Sequence, residues 1–248
     1  IDEIELSKIP VSQRATKMAY VASNSPAVNQ FTVENLIELN NRQSPQYGLH
    51  KELGISHLLQ NRLIELSDGE LQKAYILRAL CQNTPYIILD EPFAHLDVAM
   101  RIETCVLLQK IARSRNIGII CSSHDVDFSL RIADQIILME QGGQTHFACP
   151  EDLILDGKIG ETFNSPNVAF NLEAGHFEYC LELHSELNFY GEGSRARWLK
   201  NALARNGFGV KDCSQVEATI VCEENLMSYK NKNYRSVGEL LKAVLDEK

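Results

Sequence analysis

Apolar residues fall into two rhythms along the first 150 positions. Short alternating or continuous runs, MAYVA at 18–22, YIILD at 86–90, NIGIICSSH at 116–124 and DQIILMEQGG at 134–143, predict strands. Between them, apolar residues recur three and four positions apart in TVENLIELN (32–40), in LSDGELQKAYILRAL (66–80), across 98–114 and in DVDFSLRIA (125–133), which predicts helices. Within 98–114 the expected inward stripe is Ile102, Val106, Leu107 and Ile111. YIILD and NIGIIC are nearly unbroken apolar runs, so both read as strands buried on both faces of a parallel sheet. Strand and helix alternate regularly, and that order predicts a layered α/β sheet with right-handed crossovers.

The rhythm changes near residue 160. NSPN (164–167) is a turn, and FEYCLELHSELNFYG (177–191) alternates as strands do. Ser194 is expected to cap a helix with Trp198, Leu199, Ala202 and Leu203 inward, ended by Gly207. ATIVC (218–222) predicts a strand, and Ser236-x-x-Glu239 a last helix bearing Leu240, Leu241, Val244 and Leu245. Trp198, Phe177, Phe189 and Tyr190 read as core residues. The predicted organisation is an α/β domain over residues 1–158, with a helical subdomain at about 28–82, and a small α+β domain over 159–248.

Charge narrows the partners. The net charge of −9 is spread evenly, −4 over residues 1–150 and −5 over 151–248. No basic run stands out, which argues against nucleic acid or an anionic membrane as the main partner. No apolar run reaches membrane-spanning length. The cysteines are odd in number, seven, and none form a C-x-x-C pair. Cys105, Cys121 and Cys222 lie in apolar runs and read as buried, reduced thiols.

Three short stretches carry candidate chemistry. Ser67 and Glu70 form a capping box at the head of the 66–80 helix, and Gly69 leaves its backbone open to close approach. Such a helix start is either a plain cap or an anion-binding terminus. Asp90 closes one strand run and Glu91 follows it; ligands bind outside the carboxyl ends of parallel strands. A strand-end carboxylate suits Mg²⁺, and an adjacent glutamate can orient or deprotonate a water, but an acidic strand end before a turn reads the same way. His124 ends the neighbouring run, where it could contact a phosphate or simply help Asp125 begin the next helix.

In order along the chain, LSDGE (66–70), ILDEP (88–92), HLD (95–97) and SSHD (122–125) resemble the ATP-binding cassette (ABC) ATPases over residues 1 to about 150. LSDGE is similar to the signature sequence, with Asp68 where Gly is usual; ILDE is similar to the Walker B strand, HLD to the D-loop and SSHD to the switch-histidine strand. The resemblance implies an α/β P-loop NTPase core of ABC type, incomplete here, with a helical subdomain and an added C-terminal α+β domain. It implies that Asp90 holds Mg²⁺ through water, that Glu91 is the general base, that His124 contacts the γ-phosphate of ATP, and that Asp97 joins a dimer interface. Leu66, Ser67, Gly69 and Glu70 would complete the nucleotide site of a partner subunit. LSDGELQKAYILRALCQNTPYIILDEP is most similar to ATPases importing siderophores, haem or cobalamin. The implied partners are a second ATPase subunit, an integral-membrane permease and, indirectly, a substrate-binding protein; the implied location is the inner face of a bacterial plasma membrane.

Three departures qualify the resemblance. No G-x-x-x-x-G-K-[ST] phosphate loop occurs in the 248 residues. In the family that loop precedes the segment similar to residues 1–20, so residues upstream of Ile1 are expected, and the 248 residues alone should bind ATP poorly. After AYV the family places a Gln touching Mg²⁺ or water; here stand Ala22, Ser23 and Asn24, so Ser23 or Asn24 would have to substitute. The stretch from Val33 to Leu66 is short for the helical subdomain. These departures keep an alternative open: a degenerate regulatory, or non-transport, ABC protein with weak or no ATPase activity.

Overall fold

The computed structural model describes residues 4–23, 25, 30–39, 48–223 and 226–247. The chain divides into two compact units, Ile1–Ile136 and Ile137–Lys248, whereas the change in sequence rhythm lies near 158/159. Asn24 and part of the expected helical subdomain lie outside the described residues.

The first unit runs α1 (Val11–Lys17), β1 (Met18–Val21), α2 (Val33–Glu38), α3 (Leu49–Glu52), α4 (Asp68–Cys81), β2 (Tyr86–Leu89), α5 (Val98–Arg115), β3 (Gly118–Cys121) and α6 (Val126–Ile132). The three strands form a parallel sheet in the order β1-β2-β3. Met18 pairs with Tyr86 and Val21 with Leu89; Tyr86 in turn pairs with Gly118 and Leu89 with Cys121. The register therefore brings Ala22, Asp90 and Ser122, the residues next along each strand, to one edge of the sheet. α4 is buried along most of its length, and its Ile76, Leu77 and Leu80 join Ala19, Val21, Ile87 and Leu89 in the core. Thr32 starts α2 through a reciprocal capping box with Asn35.

Two expectations fail here. The inward stripe of α5 is Thr104, Cys105, Leu108 and Ile111, while Ile102 and Val106 are exposed. β3 is not buried on both faces: Ile120 and Cys121 are exposed, so Cys121 is not a core thiol, although Cys105 and Cys222 are. β3 pairs with β2 alone among the described strands, which leaves its outer edge without a covering neighbour.

The second unit contains the hairpins β4 (Ile136–Met139, whose first residue closes the first unit) with β5 (Thr145–Ala148), and β6 (Val168–Asn171) with β7 (His176–Tyr179), with α7 (Pro150–Leu155) and α8 (Lys158–Phe163) between them. A five-stranded mixed sheet follows, β12-β11-β10-β8-β9, built from β8 (Ser185–Tyr190), β9 (Phe208–Asp212), β10 (Ile220–Cys222), β11 (Met227–Tyr229) and β12 (Lys232–Tyr234). α9 (Gly193–Arg205) and α10 (Val237–Leu245) cover it, and Phe189, Leu199, Leu203, Ile220 and Leu240 form its core. Gly207 ends α9 at φ +82°, where a side chain would be strained.

The cap of α9 is Glu192, without a side-chain hydrogen bond, and Ser194 lies inside the helix. Trp198 points outward and is 67% exposed; Tyr190 is also exposed, while Phe189 is buried and Phe177 packs edge-on against Phe163 and Phe170. Burying Leu199 and Leu203 fixes the rotation of α9, and Trp198 then falls on the far side. No described helix is long and apolar enough to cross a membrane.

Candidate nucleotide-hydrolysis site

The parallel register concentrates polar groups beyond the ends of β2 and β3. The Asp90 N–H donates to the Val21 carbonyl at 2.9 Å, which continues the ladder one step past the strand. The Ser122 hydroxyl donates to Asp90 Oδ1 at 2.6 Å and accepts from the Glu91 N–H at 2.8 Å. One serine thus ties together two consecutive acids from the adjacent strand. The hydrogen bond from Ser122 lowers the Asp90 pKa below the ordinary carboxylate value; partial burial opposes this, while hydrogen bonds from Ser23 and the charge interaction with His124 add to the lowering. Asp90 is held as a carboxylate.

Glu91 adopts φ +48°, a left-handed conformation costing a non-glycine residue about 1–2 kcal/mol. Its N–H bond to Ser122 helps hold that conformation, which turns the side chain toward β3. Glu91 Oε1 then meets His124 Nε2 at 2.7 Å. The His124 side chain is 91% exposed, so this contact leaves most of the imidazole open to a ligand. Beside the pair lies a cavity of about 200 Å³ lined by Glu91, Arg101, His124, Asp125 and Phe128 among others.

For Mg²⁺ the donor set fits. Among the described residues no three His, Cys, Asp or Glu groups converge as an all-protein metal cage. Mg²⁺ does not need one, because it keeps several waters and takes one or two carboxylates together with substrate phosphates. Asp90 and Ser23 supply oxygen at one place.

The LSDGE stretch (66–70) sits at the head of α4. Ser67 Oγ accepts from the Glu70 N–H at 3.4 Å, and Glu70 Oε2 accepts from the Ser67 N–H at 2.9 Å and the Ser67 hydroxyl at 2.8 Å. These bonds from Ser67 lower the Glu70 pKa. Among the described residues the N–H groups of Asp68 and Gly69 find no such cap, so the positive end of α4 stays available to an anion. A Cβ on Gly69 would come within 3.1 Å of the His95 carbonyl oxygen and 3.2 Å of Leu96 Cδ2. Glycine is used here for close packing against the 95–97 loop. Leu66 packs on the core. Asp97 caps α5, its Oδ1 accepting from the Met100 N–H at 2.8 Å.

The structure therefore brings Ser23, Asp90, Glu91 and His124 together, and sets Gly69, at the helix head it shares with Ser67 and Glu70, against the loop ending in Asp97. Sequence reasoning passed over Ser122 and Arg101. Ser122 had a signal, since it follows its strand as Asp90 follows the next one. Arg101, which bonds Asp125 across 24 positions, had none.

Comparison with known proteins shows what the chain is similar to. Residues 1–94 match the family model described as ABC transporter, and residues 184–245 match the iron ABC transporter C-terminal domain. An uncharacterized ABC transporter ATP-binding protein of Methanocaldococcus jannaschii is 34% identical over 128 residues, 52% of this chain and 44% of that protein. The petrobactin import ATP-binding protein of Bacillus anthracis is 27% identical over 179 residues, 66% of this chain and 72% of that protein. Proteins named for hemin, zinc and molybdenum import also align. A solved dimeric ATP-binding cassette in a post-hydrolysis state, bound to ADP and Pi, superposes with a TM-score of 0.52 at 21% identity, over 60% of this chain and 72% of that one. The chain has the ABC ATPase fold, and it spans from under half to about three quarters of the relatives reported.

Proposed function

We propose, from the premise that this chain joins an ABC transporter ATPase domain to an iron ABC transporter C-terminal domain, that it is the ATP-hydrolysing subunit of an importer of iron complexes. The observation carrying the reading is the linked set Asp90–Ser122–Glu91–His124 at the common edge of β2 and β3. Asp90, kept ionised by Ser122, would hold Mg²⁺ with Ser23; the cation would neutralise phosphate charge during the reaction. Glu91 would take the proton of the attacking water, and His124, one ring nitrogen on Glu91, would offer its exposed ring to the terminal phosphate. Ser67 and the open N–H groups of Asp68 and Gly69 would serve the nucleotide held by a second ATPase subunit, with Asp97 at the interface between them. In this structure the Ser67 hydroxyl is turned to Glu70, so it must rotate to meet a phosphate.

Iron complexes are favoured as cargo by the C-terminal match and the petrobactin and hemin relatives. An importer subunit of this kind would act with a membrane permease, supplied by a substrate-binding protein, at the inner face of the membrane. The test uses protein produced from its complete reading frame. Glu91→Gln should lower Mg-ATP turnover about 10²–10⁴-fold while ATP binding persists, read by phosphate release and by nucleotide retained on filters. Unchanged turnover would remove Glu91 from the role of base. Absence of turnover in the unmodified protein would favour a regulatory subunit that no longer hydrolyses ATP.

A further inference from the structure

We infer that Arg101 is a positioning residue for the switch loop: by clamping Asp125 and the first turn of α6 it fixes where the exposed His124 stands. This rests on the hydrolytic reading of the site and adds a residue to it. His124 is 91% exposed, so packing does not hold its ring; its placement comes from the backbone of residues 122–125 and from the contact with Glu91. That backbone is anchored at both ends. Upstream, Ser122 is tied to Asp90 and Glu91. Downstream, the Asp125 N–H donates to Ser123 Oγ at 3.0 Å, and Asp125 Oδ1 accepts from the Phe128 N–H at 2.9 Å to cap α6.

The second oxygen of that same carboxylate, Oδ2, accepts from Arg101 Nη1 at 2.6 Å. The guanidinium also lies over the Phe128 ring, 4.5 Å from its centroid, and Phe128 meets Phe93 edge-on at 5.4 Å. One planar group therefore grips the cap and the first aromatic of α6, and that aromatic rests on a residue two positions after Glu91. Arg101 Nε is buried with no hydrogen-bond partner among the described residues, so the side chain gives up one donor to keep this pose. Its own base is fixed as well, because the Arg101 N–H donates to the carbonyl of Asp97, the α5 cap, at 2.9 Å. The 95–97 loop, α5, Arg101, Asp125 and His124 form one mechanical series. Lysine could restore the charge but not the flat face over Phe128.

The experiment measures kcat and KM for Mg-ATP, with thermal melts as a folding check, in protein from its complete reading frame. Arg101→Met keeps much of the stem and removes the clamp; kcat should fall about tenfold or more while KM stays within about twofold, since misplacing a reacting group by about 1 Å can cost a hundredfold. Arg101→Lys should recover part of the loss, and it carries the test should the Met variant not fold. Asp125→Asn keeps a cap but loses the ion pair, so combining it with Arg101→Met should cost no more than the worse single change. An unchanged kcat, kcat and KM moving together, or additive losses would overturn the inference. If Glu91→Gln also leaves turnover intact, the hydrolytic reading fails as a whole, which is a different outcome from Arg101 alone being silent.

Discussion

The first unit ends its strands together, and the second does not. β1, β2 and β3 are parallel, so the residues after all three emerge at one edge, and polar side chains placed there must meet. In the second unit β11 runs opposite to both of its neighbours, so strand ends are distributed over both edges of the sheet. The first unit also carries two local costs beside its strand ends: a left-handed Glu91 and, among the described residues, a buried Arg101 Nε without a hydrogen-bond partner. Its parallel layering gathers polar side chains at one edge, whereas the second unit's core of Phe189, Leu199, Leu203, Ile220 and Leu240 closes on itself. Substitutions should separate the two accordingly, stability responding in one and turnover in the other.

The largest separation is expected at Phe189, which is fully buried. Phe189→Ala should destabilise the second unit by about 3–5 kcal/mol through lost transfer energy and a residual cavity. Hydrogen exchange reads the outcome: amides of β8 and β10 lose protection while those of β1 and β2 keep theirs. Equal loss in both sets would mean that the two units unfold as one. A smaller effect sharpens the comparison at matched positions. Ser67 and Ser236 both cap helices by accepting from the N–H three residues on, Glu70 at 3.4 Å and Glu239 at 3.2 Å. Either serine changed to alanine should cost about 0.5–2 kcal/mol of stability. Only Ser67→Ala should also reduce Mg-ATP turnover. Equal turnover in the two variants would make the head of α4 an ordinary helix cap.

What could be read in the chain follows the reach of the interactions involved. The helix caps at Ser67 and Ser236 were legible because both partners lie within four residues. The strands ending in Asp90 and near His124 were legible because both are almost pure apolar sequence. The inward face of α5 was not, since Val98, Ile102 and Val106 are as apolar as the buried Cys105, Leu108 and Ile111, and periodicity cannot choose between two apolar stripes. Burial of β3 was misjudged because composition does not reveal which strand lies at an edge. Around the candidate site, Asp90, Glu91 and His124 stood out by position after strands. Ser122 and Arg101 act across 32 and 24 positions, and only the fold brings such pairs together.

The smallest predicted effect separates two neighbours on α9. Trp198 and Leu199 are consecutive, yet Trp198 is 67% exposed and Leu199 is fully buried. A tryptophan has the larger apolar surface, so composition alone ranks Trp198 as the more stabilising of the two. Burial reverses that order, because apolar surface contributes only where folding removes it from water. Trp198→Ala should therefore change the stability of the second unit by less than about 0.5 kcal/mol, the range of ordinary surface substitutions. Leu199→Ala, one position on, should cost about 2–5 kcal/mol. Urea denaturation followed by circular dichroism measures both. A Trp198→Ala loss rivalling that of Leu199→Ala would show that the outer face of α9 is covered in solution, and the second unit would then present an interface where the fold now shows a free helix face.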